Sequence, residues 1–467
     1  MSSRAPDLVV LGAGPAGLAA AWRAARNGLA VTLLERGHRV GGMAGSIEVA
    51  GQSVDLGSHR LHPATPGRLL ADLSDLLGRD LQTRPRRGRL RVADRWVGFP
   101  VQAVELARTL PRPLLAGIAK DAALAPVRRP REDSFAEVLR SGLGPSIYDA
   151  VYAPYAQKLW GLPGERIAGE QARRRVTADT PWKLAGRMVR RPARRQKGQG
   201  RVFHYPRRGF GQLTEALAAA AAGAGVDIRL GTEVDSVHLS GGTVQVGTTG
   251  GDEWEAGHAF STLPLPVLAR VTSPGPSLAS VESAARLKFR AMVLVYVVHS
   301  GGRWSPYDAH YLPGPETAVT RVSEPANYRE SADDPADRSV LCAEIPCAVG
   351  DGVWSLGDGA LAELVGEGLA RAGLPPVKIA GVHVERLPHV YPVYEMGFER
   401  HLAGLDGWAS SLPSVTTFGR LGLFAHDNTH HALVMAYDAV DALGRDGFDR
   451  SAWTAARLRF SQHVVED

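Results

Sequence analysis

Leu8-Val9-Val10-Leu11 runs straight into Gly12-Ala13-Gly14-Pro15-Ala16-Gly17, and Val31-Thr32-Leu33-Leu34 then closes on Glu35. The first apolar run predicts a short buried strand. Leu18 to Asn27 predicts a helix ended by Gly28, and the second run predicts another strand. Together they form a βαβ unit with a dinucleotide fingerprint between strand and helix. Gly12 allows the tight turn, Gly14 lets backbone approach a pyrophosphate, and Gly17 lets the helix pack closely on the strand. The helix N-terminus offers unpaired N–H groups to phosphate. Glu35 lies 18 residues after Gly17 (35 − 17). A carboxylate there accepts both ribose hydroxyls and repels a 2′-phosphate.

Length and composition bound what surrounds this unit. The 467 residues allow about three domains, and a large two-domain enzyme also fits. Apolar residues at 44% and charged residues at 22% exclude a disordered chain. The 53 glycines and 31 prolines have no collagen-like period and suggest a loop-rich enzyme. Cys342 and Cys347, the two cysteines, cannot form a disulfide framework or a four-thiolate site. No metal site is expected, and a reducing compartment is the simpler reading. Asp7 and Gly12 interrupt any apolar leader, and the Ala-rich run Leu217 to Ala224 is far too short to cross a bilayer. A cytoplasmic protein is therefore expected, with peripheral membrane contact left open. The net charge is +6, and much of the excess sits between Arg173 and Arg208. That cluster points to an anionic substrate or surface. Arg187, Arg190, Arg191, Arg194, Arg195 and Lys197 could form a loop that closes over substrate or touches anionic lipid. Their stretch lacks interleaved aromatics, which disfavours nucleic acid.

Which dinucleotide is bound is indicated by Arg39-Val40-Gly41-Gly42-Met43-Ala44-Gly45, just after the second strand. This arrangement resembles the FAD-binding flavoproteins that include amine oxidases, protoporphyrinogen oxidases and UDP-galactopyranose mutases. The resemblance implies FAD as cofactor, with Gly42 and Met43 near its flavin side and Glu35-Arg36 at the ribose. It places Val234 at the adenine, and Gly419-Arg420 and the following helix beside FAD. It implies an α/β protein: a Rossmann-like FAD-binding domain from residues 1–75, 200–265 and 400–467, interleaved with a mixed α+β substrate domain from 76–199 and 266–399. The apolar runs Ala291 to Val298, Val340 to Cys347 and Val382 to Leu387 are expected to form a second sheet.

Gly57-Ser58-His59-Arg60-Leu61-His62 matches the mutase pattern Gly-x-His-x-x-His, so His59 and His62 are candidate proton carriers near the flavin. Arg420 is the candidate cation that stabilises reduced flavin. Tyr155, Lys158, Trp160 and Gly161 match a segment of mutases and related bacterial flavoproteins, which implies Lys158 and Trp160 at the substrate cleft. An amphipathic helix with aromatic core residues is the plain alternative. Arg174, Arg207, Tyr394 and His426 complete the expected substrate set. The chain departs from the mutases where they carry tyrosines: here stand Phe424 and His426, and a mutase arginine falls near Ala178.

The leading expectation is an FAD-dependent oxidoreductase acting on a small anionic or sugar-like substrate. The alternative is a mutase-like sugar isomerase using reduced FAD without net redox. A degenerate flavoprotein serving as a binding module is a third reading, disfavoured by the intact glycines. Substrate, electron acceptor and oligomeric state stay open.

Overall fold

The computed structural model describes residues 5–175, 202–444 and 447–465. At its centre is a five-stranded parallel sheet in the order 415–417, 258–261, 8–11, 31–34, 227–229. Strand Leu8–Leu11 is central and buried throughout. Its alternation sorts two cores: Leu8 and Val10 pack with the helices, while Val9 and Leu11 pack with a second sheet. The helical side holds Pro15–Arg26, Gly211–Gly223 and Thr429–Ala442. The other side holds the four-stranded sheet built on Val234–Ser240, Thr243–Thr248 and Glu253–Ala256.

The expected second sheet is seven-stranded, in the order 379–393, 288–300, 338–347, 321–323, 309–311, 88–92, 95–99. Its long strand Lys288–Ser300 is buried on both faces, as its unbroken apolar run requires. Ala291, Val293, Val295 and Val297 face the core under helix Asp358–Arg371. Met292, Leu294, Tyr296 and Val298 face the hairpin Ser46–Val49/Gln52–Asp55. This second face turns Met292 and Leu294 toward a cavity between the two sheets. Cys342 and Cys347 are free and buried in strand Arg338–Cys347.

The aromatic segment after Gly144 forms one broken helix. A π-helical turn, Tyr148–Tyr152, feeds Ala153–Trp160, whose start carries Pro154 and whose end is a left-handed Gly161. Proline lacks the N–H that a continuous ladder needs, which favours an irregular turn here. Ser134 caps the neighbouring helix Phe135–Leu143 by accepting from Glu137 N at 3.2 Å. The basic stretch from 187 to 197, and Ala178, lie outside the described residues. No helix among the described residues is long and apolar enough to cross a membrane.

Candidate active site

A cavity of about 500 Å³ runs from the first strand–helix turn to the seven-stranded sheet. Gly12 and Gly14 line one end, and Gly12 has a φ of +102°. A side chain on Gly12 would strike Thr262 Oγ1, and one on Gly17 would overlap the carbonyl oxygen of Gly12. Nothing lies within 4 Å of a Cβ placed on Gly14, so that glycine leaves open space toward the cavity. The second glycine element is stitched to the first. Gly41 N donates to Ala13 O at 2.8 Å, and a Cβ on Gly42 would sit 3.3 Å from Gly14 Cα.

Glu35 braces both turns. Its two carboxylate oxygens accept from Ala13 N and Gly37 N, each at 2.8 Å. An ionised carboxylate has about four lone-pair positions, so two remain for hydroxyls. Arg36, Gly42, Met43, Thr232, Glu233 and Val234 continue the wall. These residues fit an adenine dinucleotide: bare backbone at the turns, an acceptor pair at Glu35 and a strand edge at Val234.

The opposite end is polar and crowded. His59 is half-buried and stacks on Phe210, ring centroids 5.4 Å apart. Its Nε2 lies 3.0 Å from Leu56 O. A carbonyl only accepts, so Nε2 carries the proton and Nδ1 keeps a lone pair. Burial holds the imidazole below its ordinary pKa, outweighing Asp55 and Glu344, so the ring is neutral at pH 7. His62 also lines the cavity, and its Nδ1 accepts from Ala64 N at 3.1 Å.

Six arginines line the cavity: Arg36, Arg60, Arg86, Arg175, Arg321 and Arg420. Two are neutralised internally. Arg321 holds Glu344 at 2.7 and 2.8 Å through Nη2, and Glu344 also accepts from Ser58 N at 2.9 Å. Arg60 reaches Asp308 at 3.3 Å and donates to Tyr311 and Tyr328 hydroxyls, each at 3.2 Å. Arg420 and Arg175 flank one ring, Tyr391, at 4.9 and 5.0 Å. Burial pulls the Arg420 pKa down, and its Nε has no hydrogen-bond partner. A half-buried guanidinium so placed favours an incoming anion.

Of the residues anticipated from sequence, Gly12, Gly14, Glu35, Arg36, Gly42, Met43, His59, His62, Val234, Gly419 and Arg420 all line this cavity. Gly17 supports it from beneath. The six residues expected at the substrate do not line it, and each has a partner elsewhere that explains why. Lys158 Nζ donates to Leu312 O at 2.7 Å and Val319 O at 3.2 Å, fastening the broken helix to the seven-stranded sheet region. Trp160 is buried against Phe135, with Arg175 5.9 Å over its ring, so Arg175 occupies the cavity wall instead. Arg174 binds Glu170 at 2.6 Å, one helical turn away. Arg207 pairs with Asp80 at 2.9 Å and Asp333 at 3.2 Å on the outer surface. Tyr394 stacks on Phe398 and donates its hydroxyl to Phe424 O at 3.0 Å. His426 Nε2 meets Pro392 O at 2.7 Å. These last two pin the loop after Gly419-Arg420 to the strand Ile379–Val393.

Arg60, Arg86, Arg175, Arg321 and Glu344 are among the cavity residues not expected there from the sequence. Arg321 and Glu344 are register partners on adjacent strands, a pairing no local pattern encodes. Arg175 could have been found only as one of three consecutive arginines, and the other two turn to Asp133 and Glu170.

A family model described as flavin containing amine oxidoreductase matches residues 15–394, and the chain belongs to that family. Its members are flavin-dependent oxidoreductases, which supports an enzyme with a flavin cofactor. Among solved structures, a reduced UDP-galactopyranose mutase superposes with a TM-score of 0.82 at 20% identity, covering 99% of this chain and all (100%) of that one. A protein provisionally assigned as a protoporphyrinogen oxidase from Exiguobacterium sp. 255-15 gives 0.71 at 20% identity, covering 93% and 97%. A putrescine oxidase bound to putrescine gives 0.63 at 17% identity, covering 97% and 99%. At these identities the likeness shows the fold alone. No curated protein sequence matches the chain.

Proposed function

We propose that the protein is an FAD-dependent oxidoreductase acting on a small anionic substrate, with the FAD part drawn from residues 1–75, 200–265 and 400–467. Residues 76–199 and 266–399 supply the substrate part. The observation that carries this reading is one continuous cavity with a dinucleotide cradle at Gly12, Gly14 and Glu35 and a cationic wall at Arg175 and Arg420. Bound FAD would supply the hydride acceptor. Around it, Gly14 and Gly42 would leave backbone free for the pyrophosphate, and Glu35 would accept from the ribose. Arg420 would balance negative charge at the cofactor or substrate. Tyr391 orients both guanidiniums through its ring. His59, neutral and with a free Nδ1 lone pair, is the group suited to take the substrate proton, and His62 is the second candidate. Met292, Leu294 and Leu387 exclude water along the sheet side.

A second reading is favoured by the fold likeness to a reduced mutase: isomerisation of a sugar nucleotide with no net electron transfer. Phe424 and His426 argue against it, because both are buried and engaged away from the cavity. The test is to purify the protein, identify any released flavin by mass, and assay oxidised and pre-reduced enzyme on carboxylates, amines and sugar nucleotides. Substrate-dependent bleaching of oxidised flavin supports the oxidoreductase. Turnover only after prior reduction, with no acceptor consumed, selects the isomerase. A protein that neither contains nor takes up FAD overturns both.

A further inference from the structure

We propose that the helices Ala103–Thr109 and Arg112–Leu124, with the turn after them, dock this protein on an anionic lipid bilayer. Single exposed apolar side chains are ordinary on a protein surface. Here they are gathered. Of the eleven large apolar side chains exposed among the described residues, Val101, Val104, Leu124 and Val127 fall in this one stretch. Val104 is 63% exposed and Val127 78%.

The two helices share one support. Leu106, Leu110, Leu114, Leu115 and Ile118 turn onto a small apolar cluster with Val92 and Val97 of the hairpin 88–99. The reverse of each helix therefore points outward. Val104 and Arg108 lie four residues apart on the first helix, and Arg112, Ala116, Lys120 and Leu124 repeat at the same interval on the second. All six are exposed.

Charge decides what covers this face. Between residues 101 and 131 the sequence has six cations and two carboxylates. Both carboxylates are used internally. Glu105 accepts from Gly98 N at 2.7 Å, and buried Asp121 accepts from Ser146 N at 2.8 Å and holds Arg128 at 3.1 Å. Arg108, Arg112, Lys120, Arg129 and Arg131 form no ion pair among the described residues. Valine and leucine set among unpaired cations match a membrane surface, where the cations meet lipid phosphate and the apolar groups enter the headgroup boundary. A soluble polyanion would use the cations and leave the valines idle. Neither helix is long and apolar enough to cross a membrane, so both would lie on its surface. The patch begins at the cavity: Arg86, on the cavity wall, lies 4.7 Å over the ring of Phe99, two residues before Val101. A docked protein would hold that edge of the cavity near the headgroups.

The test is co-sedimentation of the full-length protein with vesicles of phosphatidylcholine alone or mixed with phosphatidylglycerol. Binding to the mixed vesicles should be at least tenfold tighter and should weaken with added salt. Arg112→Gln and Lys120→Gln should each weaken it about fivefold, the equivalent of roughly 1 kcal/mol per cation. Val104→Ser combined with Val127→Ser should weaken it at least fivefold with no change of charge. These side chains are exposed, so the melting midpoints of the variants should match wild type. Leu278→Ser, at an exposed site on another helix, should bind as wild type does. Equal binding to both kinds of vesicle overturns the proposal. So does unchanged binding by the doubly substituted valine protein, the result expected if the basic stretch 187–197 or a plain attraction between polyions accounts for the binding.

Discussion

Replacing Gly17 by alanine and Gly14 by alanine separates what the fingerprint glycines do for folding from what they do for binding. Both stand at the same strand–helix turn, yet their surroundings differ. A methyl on Gly17 would overlap the Gly12 carbonyl oxygen, lie 3.1 Å from its carbon and 3.4 Å from Val10 Cγ1. All but the last are backbone atoms, so no side chain can move aside. Overpacking of this kind costs about 1–3 kcal/mol or somewhat more. Alanine in a helix interior returns roughly 0.5–1 kcal/mol. A site with rigid neighbours belongs at the upper end, so the net loss is about 2 kcal/mol. For a chain of 467 residues, at about 2.1 cal/mol/K of unfolding entropy per residue, that lowers the melting midpoint by roughly 2 °C. Gly14→Ala meets nothing within 4 Å, and Gly14 has an ordinary extended backbone at φ −73°. Its flavin-free midpoint should match wild type within about 1 °C by the same scaling. Its methyl projects where the cofactor would approach, so FAD affinity should fall at least tenfold. Scanning calorimetry with and without added FAD reads both effects. A Gly17→Ala protein as stable as wild type would refute the packing account. A Gly14→Ala protein with wild-type FAD affinity would refute the placement of the pyrophosphate.

Other perturbations probe the remaining parts of the site. Glu35→Gln keeps the shape but turns an amide N–H toward one of two backbone donors, and should cost about 1–3 kcal/mol while releasing flavin at lower temperature, read from flavin fluorescence on warming. Arg420→Met removes a half-buried cation that desolvation disfavours; the flavin-free protein should melt no lower than wild type, whereas the rise in midpoint on adding FAD should shrink, and a lower flavin-free midpoint would mean Arg420 serves the fold. Acid should destabilise the protein well before carboxylates titrate. Burial holds His59 below its ordinary value, His258 at about 4 and His310 at about 3 against an ordinary 6.5. The folded form then binds fewer protons than the unfolded form, so the contribution is complete above pH 6.5 and is lost as pH falls. His258 and His310 each contribute about 1.4 kcal/mol per pH unit in that window, and urea midpoints that stay flat between pH 6.5 and 5 would contradict the assignment.

The cradle was legible because its determinants are local. Strand, glycine turn, helix and second strand follow one another within Leu8 to Glu35, and each step is a backbone preference of the residues that make it. The same holds for the second glycine element and for the apolar runs that became the long strands. Even the two-sided burial of Lys288–Ser300 was implied by its unbroken apolarity. Residue types alone, however, did not say which way Lys158, Trp160, Arg174, Arg207, Tyr394 and His426 would turn. Each is satisfied by a partner brought close by tertiary packing: a carbonyl 154 residues on for Lys158, a carboxylate 127 residues back for Arg207. The Arg321–Glu344 pair depends on strand register, and the Arg175–Tyr391–Arg420 stack joins three segments far apart in the chain. Backbone geometry follows from neighbours in sequence, while the direction of a charged or aromatic side chain is decided by the nearest group that can satisfy it. That group is supplied only once the sheets have packed.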